Sequence, residues 1–399
     1  MEQVVVVGAS LAGLRAAEQL RRRKYAGRLV LIGAEPTLPY DRPPLSKEVL
    51  RGELEPDAIG LRRRPYEELD LDLRLGARAV GLDPAAGRVE LDGAAPVAYD
   101  GLVIATGSRV RTLPRQPALE GVFTLRTVQD ALALRAALQA GPRVVVIGAG
   151  FIGAEVAASC RQLGLDVTLV EALEAPLAKS LGAELGRRLA AVHEAQGVTV
   201  RCGAGVAAIE GRGGRVERVA LDDGASLDAD VVVVGIGVVP NVEWLDGSGL
   251  DVGDGVECDE TCRASAPNVV AAGDVARWYN PLFDERMRIE HWTHATEQGK
   301  HAAQTLLLGP DEAQPFAPAP LFWSDQYTLK IQGAGRFRAT DTRHVCHGGL
   351  DDDRFCVLYG RDDRLVGVLT FDLPAKAIAY RAMITRRASW AEALEAATD

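Results

Sequence analysis

The chain has 399 residues, of which 47% are hydrophobic and 25% are charged, a composition typical of a globular enzyme with two or three domains. Its formal net charge of −10 argues against a nucleic-acid-binding protein. No apolar run reaches the ~18 residues of a membrane-spanning helix, and a predicted strand close to residue 1 leaves no room for a signal peptide. We therefore expect a cytoplasmic protein that does not contact the membrane.

Hydrophobic periodicity predicts alternating strands and helices over most of the chain, the pattern of parallel α/β sheets. In chain order the predicted elements are strand 3–7, helix 14–22, strands 28–32 and 103–107, helix 127–138, strands 144–147, 231–234 and 268–272, and helix 297–308. Prolines at 114 and 117, and again at 315, 318 and 320, predict two linkers. The remaining predicted elements, strands 328–332, 355–358 and 365–371 and helix 376–384, indicate a small α+β domain.

The first predicted strand leads into the glycine-rich turn Gly8-Ala9-Ser10-Leu11-Ala12-Gly13. In a dinucleotide-binding fingerprint, glycines permit the sharp turn, the approach of a pyrophosphate and the close packing of helix on strand. Glu35 follows the next strand, where a carboxylate accepts hydrogen bonds from the ribose hydroxyls. Because Ser10 replaces the second glycine, a strand–helix turn without a ligand is the alternative.

The same pattern recurs as Gly148-Ala149-Gly150-Phe151-Ile152-Gly153, with Glu171 behind it and all three glycines present. Two such fingerprints predict two dinucleotides in one protein, and hence electron transfer from one cofactor to the other. No arginine follows Glu171, whose neighbours are Ala172-Leu173-Glu174. A carboxylate here accepts the 2′-hydroxyl and repels a 2′-phosphate, so we predict a preference for NADH over NADPH.

The cysteines show no metal-binding or redox motif. The six residues, Cys160, Cys202, Cys258, Cys262, Cys346 and Cys356, form no C-x-x-C pair and no Cys/His metal spacing. We expect unpaired thiols in a reducing compartment and no metal site.

Three further segments carry a resemblance to a known family: residues 39–47 (Pro-Tyr-Asp-Arg-Pro-Pro-Leu-Ser-Lys), Glu290-His291-Trp292, and residues 322–326 (Phe-Trp-Ser-Asp-Gln). With the two fingerprints, they make the whole chain resemble the flavoproteins of the pyridine nucleotide-disulfide oxidoreductase family. Within that family it is similar to the ferredoxin reductases that serve bacterial cytochrome P450 and ring-hydroxylating dioxygenase systems.

The resemblance implies an α/β fold with two Rossmann-like dinucleotide-binding domains, one for FAD and one for NAD, and a small C-terminal α+β domain. The FAD-binding domain is expected to be discontinuous, over residues 1–110 and 242–318. The NAD-binding domain is expected at 111–241 and the C-terminal domain at 319–399.

The resemblance also implies which residues bind the cofactors. For FAD they are Gly8, Ser10, Leu11, Ala12, Gly13, Glu35, Arg42, Lys47, Val80, Ala105, Thr106, Gly107, Arg126, Gly273, Asp274, Glu290, His291 and Trp292. For NAD they are Gly148, Gly150, Phe151, Ile152, Gly153, Glu155, Glu171 and Gly237. Asp274 is expected to hold the ribitol chain, Arg126 the pyrophosphate, and the backbone of Val80 the adenine.

Lys47 and Glu155 are the pair expected to carry catalysis beside atom N5 of the flavin. Buried together, each would keep the other charged; Lys47 would donate toward N5 and Glu155 would orient the nicotinamide. The alternatives are an exposed loop lysine and a carboxylate stabilised near a helix N-terminus. For Trp292 core packing is the alternative to a flavin contact, and for Trp323 core packing is favoured over a place in an electron path.

Residues 36–50 contain no cysteine, although disulfide reductases of this architecture carry two in this segment and related oxidases and peroxidases carry one. Without a thiolate, electrons do not leave by dithiol exchange. We therefore expect them to pass from the flavin, which converts a hydride into single electrons, to an external carrier. The predicted function is that of an NADH-dependent ferredoxin reductase, whose acidic 2Fe-2S ferredoxin feeds an oxygenase.

The predicted carrier would dock on basic residues, for which Arg286, Arg288, Lys330 and Lys376 are candidates; scattered solvated charges are the alternative. A reductase of rubredoxin or of another small carrier is a second hypothesis for the function. A redox-sensing interaction flavoprotein like apoptosis-inducing factor is a third, although the insertions and basic targeting segments of such proteins are not visible here. A cysteine-free, peroxide-forming NADH oxidase is the weakest. A monomer and a homodimer both remain open.

Overall fold

Runs of buried valines form the central strands of two parallel sheets. A computed structural model of the chain describes residues 1–114 and 116–398. In it the side chains of Val4, Val5 and Val6, and of Val146 in the second sheet, have no exposed surface. A strand covered on both faces needs apolar side chains at successive positions, which explains why these runs do not alternate with polar residues.

The helices of the described residues differ widely in length. They are α1 (Leu11–Arg22), α2 (Glu48–Arg51), α3 (Val128–Leu138), α4 (Phe151–Gln162), α5 (Ala178–Leu181), α6 (Ala183–Ala195), α7 (Trp292–Leu308), α8 (Pro374–Thr385) and α9 (Trp390–Glu395). Within the part of the chain that the structure describes, no helix combines the length and the apolar character needed to cross a membrane.

The strands are short and numerous. Those of the first half are β1 (Gln3–Val7), β2 (Arg28–Gly33), β3 (Asp72–Leu75), β4 (Ala79–Asp83), β5 (Arg88–Leu91), β6 (Ala94–Ala98), β7 (Gly101–Ile104), β8 (Ser108–Val110), β9 (Val122–Phe123), β10 (Arg143–Ile147), β11 (Asp166–Glu171) and β12 (Thr199–Cys202). Those of the second half are β13 (Val206–Arg212), β14 (Arg215–Leu221), β15 (Ser226–Asp228), β16 (Val231–Val234), β17 (Val238–Pro240), β18 (Val252–Gly253), β19 (Gly255–Cys258), β20 (Val269–Ala271), β21 (Ala276–Asn280), β22 (Glu285–Arg288), β23 (Leu321–Gln326), β24 (Leu329–Gly335), β25 (Thr342–Cys346), β26 (Phe355–Arg361) and β27 (Arg364–Phe371).

The chain divides into two compact units, each made of three segments. Unit 1 comprises Met1–Asp41, Ile59–Arg109 and Val239–Phe322, and unit 2 comprises Arg42–Ala58, Val110–Val238 and Trp323–Asp399. The segment Arg42–Ala58, which contains Lys47, thus groups with unit 2 although its numbers fall in the span predicted for the FAD-binding domain. The division into three domains stays a prediction.

Unit 1 is built on a five-stranded parallel sheet in the order β20-β7-β1-β2-β3. Helices α1 and α7 pack closely, since a Cβ on Gly299 would lie 2.3 Å from the carbonyl oxygen of Ala12. Two smaller sheets, β4-β5-β6 and β18-β19-β21-β22, complete the unit. The carboxyl ends of parallel strands lie at one edge of a sheet, so the turns after β1, β7 and β20 are neighbours.

Unit 2 contains a second parallel sheet, in the order β12-β11-β10-β16-β9, and an antiparallel sheet β13-β14-β15. Most of a third sheet, β23-β24-β27-β26-β25, also belongs to this unit, and α8 packs against it. The fingerprint turn between β10 and α4 therefore lies at the carboxyl edge of the parallel sheet, as the turn after β1 does in unit 1.

Two helices begin earlier than predicted. α1 begins at Leu11 and α7 at Trp292, rather than at residues 14 and 297. Gly13 and the polar residues at the start of α7 carry little hydrophobic periodicity, so the pattern did not include these first turns. The strand predicted at 103–107 ends at Ile104, because Gly107 has a φ of +64° and lies in a turn.

Candidate dinucleotide and redox site

The turn after β1 has the backbone geometry of a nucleotide-binding turn. Gly8 has a φ of +116°, and a Cβ there would lie 2.0 Å from the oxygen of Ala105; a Cβ on Gly13 would lie 1.8 Å from the oxygen of Gly8. Both positions therefore exclude a side chain. Ser10 is the N-cap of α1, and among the described residues its side chain makes no capping hydrogen bond, which leaves the first N–H groups of the helix for an anionic ligand.

Glu35 is the second residue after β2, where the fingerprint predicts a ribose-binding carboxylate. The hydroxyl of Tyr40 donates to Oε2 of Glu35 at 2.5 Å. Thr37 Oγ1 is buried and has no hydrogen-bond partner among the described residues. Because an unpaired buried hydroxyl is costly, this group, two residues beyond Glu35, is suited to a polar ligand.

Asp274 and Gly273 are held by two residues that the sequence analysis missed. Ser108 Oγ donates to Oδ2 of Asp274 at 2.7 Å, and the N–H of Gly273 donates to Oε1 of the buried Gln298 at 2.8 Å. In the sequence, Ser108 could have been identified as a site residue only by its position directly after the Ala-Thr-Gly turn. Gln298 lies in the interior of α7, and no motif marks it.

The turn after β7 and an irregularity in β4 hold four further residues predicted to bind FAD. The hydroxyl of Thr106 donates to the carbonyl of Asn241 at 2.8 Å, and the Asn241 side chain donates back to the Thr106 carbonyl at 2.9 Å, which fixes the turn of Ala105, Thr106 and Gly107. Val80 lies where the β4–β5 register shifts and is 49% exposed. Such a bulge releases backbone groups from the ladder, as a backbone contact to a ligand requires.

Trp292 begins α7 and is only partly buried, so it is not a core residue. Its Nε1 donates to Oδ1 of Asp41 at 2.6 Å. The preceding residues are also held: Oε1 of Glu290 accepts from Arg288 at 2.6 Å, and the His291 ring lies 5.1 Å from that of Phe322.

The second fingerprint turn combines tight packing with open space. A Cβ on Gly148 would lie 2.5 Å from the oxygen of Gly235, and a Cβ on Gly153 would lie 1.9 Å from the oxygen of Gly148. At Gly150 and Gly237, by contrast, a Cβ would meet no described atom within 4 Å. The backbone is therefore approachable at these two glycines, as a pyrophosphate requires. The next residues, Phe151 and Ile152, begin α4.

Glu171 is oriented by the fingerprint turn itself. The N–H of Ala149 donates to its Oε2 at 2.8 Å and the N–H of Leu173 donates to its Oε1 at 3.0 Å. Arg201, which the sequence analysis did not consider, pairs in register with Val170 on the neighbouring strand. Its guanidinium lies 3.7 Å from the carboxylate of Asp223, which partly neutralises it.

Lys47 and Glu155 form a buried ion pair in unit 2. Nζ of Lys47 lies 2.6 Å from Oε2 of Glu155, and the two side chains are 8% and 5% exposed. Glu155 also accepts hydrogen bonds from Ser46 at 2.6 Å and, at Oε1, from Ser324 at 2.8 Å. The alternative of an exposed loop lysine is therefore wrong. Ser46 and Ser324 were not among the predicted site residues, although both lie in segments that carry the family resemblance.

The chain before Lys47 is fixed by its prolines and by Arg42. Residues Pro43–Ser46 form a 3-10 turn, and Lys47 directly precedes α2. Nη1 of Arg42 donates to the carbonyl of Arg126 at 2.6 Å. Arg126 lies before the capping box of α3, in which Thr127 and Asp130 exchange hydrogen bonds. Two of the residues predicted to bind FAD, Arg42 and Arg126, are thereby brought together.

Most of the basic residues named as docking candidates form ion pairs with acidic side chains. Arg288 is the weakest candidate, because its side chain is 11% exposed and lies 3.2 Å from Asp254 and 2.6 Å from Glu290. Arg286 lies 3.5 Å from Glu257, and Lys330 lies 2.5 Å from Asp325. Lys376 is half-buried on α8.

Most of the thiols are buried, and the half-buried one, Cys202, pairs in register with Glu171 on the neighbouring strand. Five of the six cysteines are buried and Cys202 is half-buried, and all six are free. Burial raises the pKa of the thiols of Cys258 and Cys262, and that of Cys160 to about 12. Among the described residues, no three His, Cys, Asp or Glu side chains are grouped to hold a metal ion.

Two parallel sheets, each with a glycine turn at a helix N-terminus and a carboxylate at or just beyond the end of the next strand, define a two-dinucleotide oxidoreductase. The chain matches the pyridine nucleotide-disulphide oxidoreductase family over residues 2–299 and the reductase C-terminal family over residues 321–399. It belongs to the pyridine nucleotide-disulphide oxidoreductase family.

Named relatives cover almost the whole chain. It is 38% identical to rhodocoxin reductase of Rhodococcus erythropolis, over 96% of this chain and 89% of the relative. It is 42% identical to the ferredoxin–NAD(+) reductase component of the anthranilate 1,2-dioxygenase system of Burkholderia cepacia, over 95% of this chain and 93% of the relative. The reductase in a covalent putidaredoxin reductase–putidaredoxin complex superposes with a TM-score of 0.92 at 33% identity, over 97% of this chain and 93% of that one. The predicted family and fold class are confirmed.

Proposed function

We propose that this protein is an NADH-dependent ferredoxin reductase, which takes a hydride from NADH and delivers single electrons to a ferredoxin. The observation that carries the proposal is the segment around Lys47. It holds a buried lysine–glutamate ion pair and no thiol in the region where the disulfide reductases of this architecture carry cysteines. The names of the relatives, among them a ferredoxin–NAD(+) reductase component and putidaredoxin reductase, support the same class of acceptor.

A flavin and NAD are the cofactors that this function needs, and we propose FAD as the flavin. A bound flavin accepts a hydride as an electron pair and releases electrons one at a time. The turn at Gly8 and Gly13, where no Cβ is tolerated, fits the pyrophosphate of a dinucleotide. The carboxylate of Glu35 fits the ribose of its adenosine. Asp274, oriented by Ser108, is proposed to accept hydrogen bonds from the ribitol hydroxyls.

NADH is proposed to bind at the second fingerprint. The open space at Gly150 and Gly237 supports a pyrophosphate there, on the N-terminus of α4. Glu171 is proposed to accept the 2′-hydroxyl of the adenosine ribose. Its two backbone hydrogen bonds hold the carboxylate in one orientation, which supports discrimination against a 2′-phosphate.

Lys47 and Glu155 are proposed as the catalytic pair. The ion pair holds the ammonium group in a buried, defined position, from which it can donate a hydrogen bond to a bound cofactor. The desolvation of both charges is costly unless they are paired and hydrogen-bonded, and the serine donors on Glu155 meet that condition. The two residues thus form a buried ion pair of fixed geometry rather than a surface salt bridge.

The electron acceptor is proposed to be an acidic 2Fe-2S ferredoxin that feeds an oxygenase. Anaerobic mixing with NADH, followed by addition of such a ferredoxin with cytochrome c as the reporter, tests this. Fast cytochrome reduction that depends on the ferredoxin is expected. Equal rates with rubredoxin would favour the small-carrier alternative, and a long-lived reduced protein with slow transfer to every carrier would contradict a reductase role.

The proposed route of electrons does not use a thiol. Brief treatment with N-ethylmaleimide is therefore expected to leave the NADH–ferredoxin activity within twofold of the untreated rate. Cys202→Ser removes the half-buried thiol and serves as the control for steric effects at that position. A treated protein that loses its activity, together with protection by NADH, would contradict the thiol-free route.

We also propose that the protein works in the cytoplasm. Its six free cysteines suit a reducing compartment, in which thiols stay unpaired.

A further inference from the structure

A line of hydrogen-bonded side chains runs from Glu155 to the hairpin turn between β23 and β24. Ser324 Oγ lies 2.8 Å from Glu155 Oε1, and Gln326 Nε2 lies 3.2 Å from Ser324 Oγ. Oε1 of Gln326 lies 3.1 Å from Nε2 of His193, whose Nδ1 lies 2.9 Å from the hydroxyl of Tyr327. We call Ser324, Gln326, His193 and Tyr327 the donor chain.

The donor chain is buried over most of its length. Ser324, Gln326 and His193 have no exposed surface, and Glu155 is 4% exposed. In such surroundings each unpaired polar atom is costly, whereas a fully connected network defines one arrangement. Every side chain of the donor chain has a partner on both sides except Tyr327, which lies at its half-buried end.

The carboxylate at one end decides the direction of every hydrogen bond. An ionised Glu155 only accepts, so the single proton of the Ser324 hydroxyl points to it. Ser324 then accepts from the amide N–H of Gln326, which leaves the Gln326 oxygen facing His193. His193 must donate from Nε2, and Nδ1 becomes an acceptor if the ring is neutral.

Burial makes the ring neutral. It lowers the pKa of His193 to about 4, against a smaller opposing effect of the Gln326 hydrogen bond. Burial also raises the pKa of Tyr327, so its hydroxyl keeps its proton and donates it to Nδ1. All four donors therefore point toward Glu155.

Tyr327 occupies a backbone conformation that usually belongs to glycine. It is the first residue of the two-residue loop between β23 and β24 and has a φ of +57°. Hairpin loops place glycine or asparagine at positions with positive φ, and a bulky residue there is strained. Strain of this kind persists only where the surrounding structure holds the residue in place, and here the Tyr327 hydroxyl is held by Nδ1 of His193 at the end of the donor chain.

We propose that Ser324, Gln326, His193 and Tyr327 are positioning residues for the reaction: they fix the orientation of the Glu155 carboxylate, and through it they hold the Lys47 ammonium in place. The proposal rests on the proposed role of Lys47 and Glu155. Oε2 of Glu155 is already taken by Lys47 and Ser46, so the donor chain supplies the hydrogen bond at Oε1.

The kinetic test measures anaerobic reduction of the bound flavin by NADH in the holoenzyme. Ser324→Ala is expected to lower the limiting rate about tenfold, the effect of one hydrogen bond to a charged group, and to leave the apparent Kd for NADH within twofold. Tyr327→Phe is expected to lower the rate two- to threefold, and Ser324→Thr to recover most of it. Ser159→Ala is the matched control, because Ser159 is a buried serine one turn beyond Glu155 on α4 whose hydroxyl donates to the Ser46 carbonyl instead.

The outcomes separate the two proposals. A wild-type rate in Ser324→Ala combined with a slow Lys47→Met variant would overturn the donor chain and keep the ion pair. A wild-type rate in Lys47→Met would overturn the catalytic role of the pair itself.

A spectroscopic measurement tests the donor chain without relying on any variant's rate. In the 15N-histidine spectrum of the wild-type holoenzyme, His193, assigned by its loss in His193→Gln, is expected as the neutral Nε2–H tautomer throughout pH 6–8. An Nδ1–H tautomer, or a ring that titrates near its ordinary pKa of about 6.5, would overturn the proposal even if the Ser324 variants fail to fold.

Discussion

At the scale of single residues, the Lys47–Glu155 pair concentrates most of the chemistry in a few atoms. A buried ion pair is weak evidence for stability, because the desolvation of two charges offsets their attraction. Its presence in this protein therefore points to a function that needs a charged lysine out of water. The three hydrogen bonds that Glu155 accepts, from Lys47, Ser46 and Ser324, show how the charge is tolerated.

Removing one partner and removing both should have different effects. Lys47→Met and Glu155→Gln are each expected to lower the free energy of unfolding by about 3–5 kcal/mol at most, because one buried charge or its donors lose their partner. The double variant Lys47→Met/Glu155→Met should recover part of this loss in urea unfolding. In stopped-flow measurements, NADH should reduce the flavin bound to each of the three variants at least tenfold more slowly than the flavin of the wild type. A wild-type rate of flavin reduction in the double variant would contradict a catalytic role of the pair, whatever its stability.

Glu171 is the residue that should decide between the two nicotinamide cofactors. The wild type is expected to use NADH with a kcat/KM at least several-fold higher than that for NADPH. Glu171→Ala should narrow this ratio by roughly tenfold, since a hydrogen bond from the ribose to a charged group and a repulsion are both lost.

The matched control for this variant is Glu174→Ala, which removes the same charge from an exposed neighbouring position. Its ratio of NADH to NADPH activity should stay at the wild-type value. A shift as large as that of Glu171→Ala would mean that the general negative potential of this surface, rather than a contact to the ribose, sets the preference.

At the scale of elements, two glycines of the second fingerprint have different roles: Gly153 is required for packing, and Gly150 is proposed to leave room for the ligand. Gly153 lies where α4 touches the turn, and any Cβ would collide with the Gly148 oxygen at 1.9 Å. Gly150 has a φ of −72° that alanine adopts freely, and a Cβ there would meet no described atom within 4 Å. An alanine is therefore expected to disturb the packing of the protein at position 153 and only the bound ligand at position 150.

Gly153→Ala is expected to destabilise the protein by roughly 2–4 kcal/mol, because overpacking must displace helix or strand. Gly150→Ala should leave the free energy of unfolding within about 0.5 kcal/mol and raise the KM for NADH at least tenfold by blocking the approach of the pyrophosphate. Urea unfolding and steady-state kinetics with a dye acceptor measure both effects. If Gly150→Ala binds NADH normally, the pyrophosphate does not lie against this turn.

The elements that the sequence predicted correctly are those whose signal is local. The strands that flank the fingerprints consist of consecutive buried valines, and the turns are marked by glycines that tolerate no side chain. Strands β4–β6 and β13–β15 were missed because they are partly exposed and contain no run of buried apolar residues; in Val206–Arg212 only Ile209 is buried. Contacts between distant residues, such as Ser108 with Asp274 or Ser324 with Glu155, have no pattern in one sequence. The Lys47–Glu155 contact was predicted through the family resemblance and not from spacing.

At the scale of the whole molecule, His193 links stability to pH. Burial lowers its folded-state pKa to about 4, against about 6.5 in the unfolded chain. Below pH 6.5 the unfolded chain binds a proton that the folded protein does not bind. The stability contributed by the neutral ring is therefore complete above pH 6.5 and is lost as the pH falls toward 4, by about 3 kcal/mol in all.

Urea unfolding of the wild type and of His193→Gln at pH 7.5 and pH 4.5 measures this linkage. The difference in unfolding free energy between the two proteins should decrease by about 2–3 kcal/mol at the lower pH. Carboxylates titrate in both proteins, so the comparison removes their contribution. A difference that does not change with pH would show that His193 is protonated in the folded protein or is not buried.

The position of Ser324 and Gln326 on β23 has a consequence for hybrid reductases. The two matched families meet between residues 299 and 321, which invites the exchange of residues 321–399 as a cassette between reductases with different carriers. Yet this cassette would bring in the groups that touch Glu155 and His193, while both of these residues stay behind in the host. A hybrid should therefore also include an α6 whose side chains match the exchanged residues. The junction between the two parent proteins should be chosen so that these hydrogen bonds are kept, rather than at the boundary between the two families.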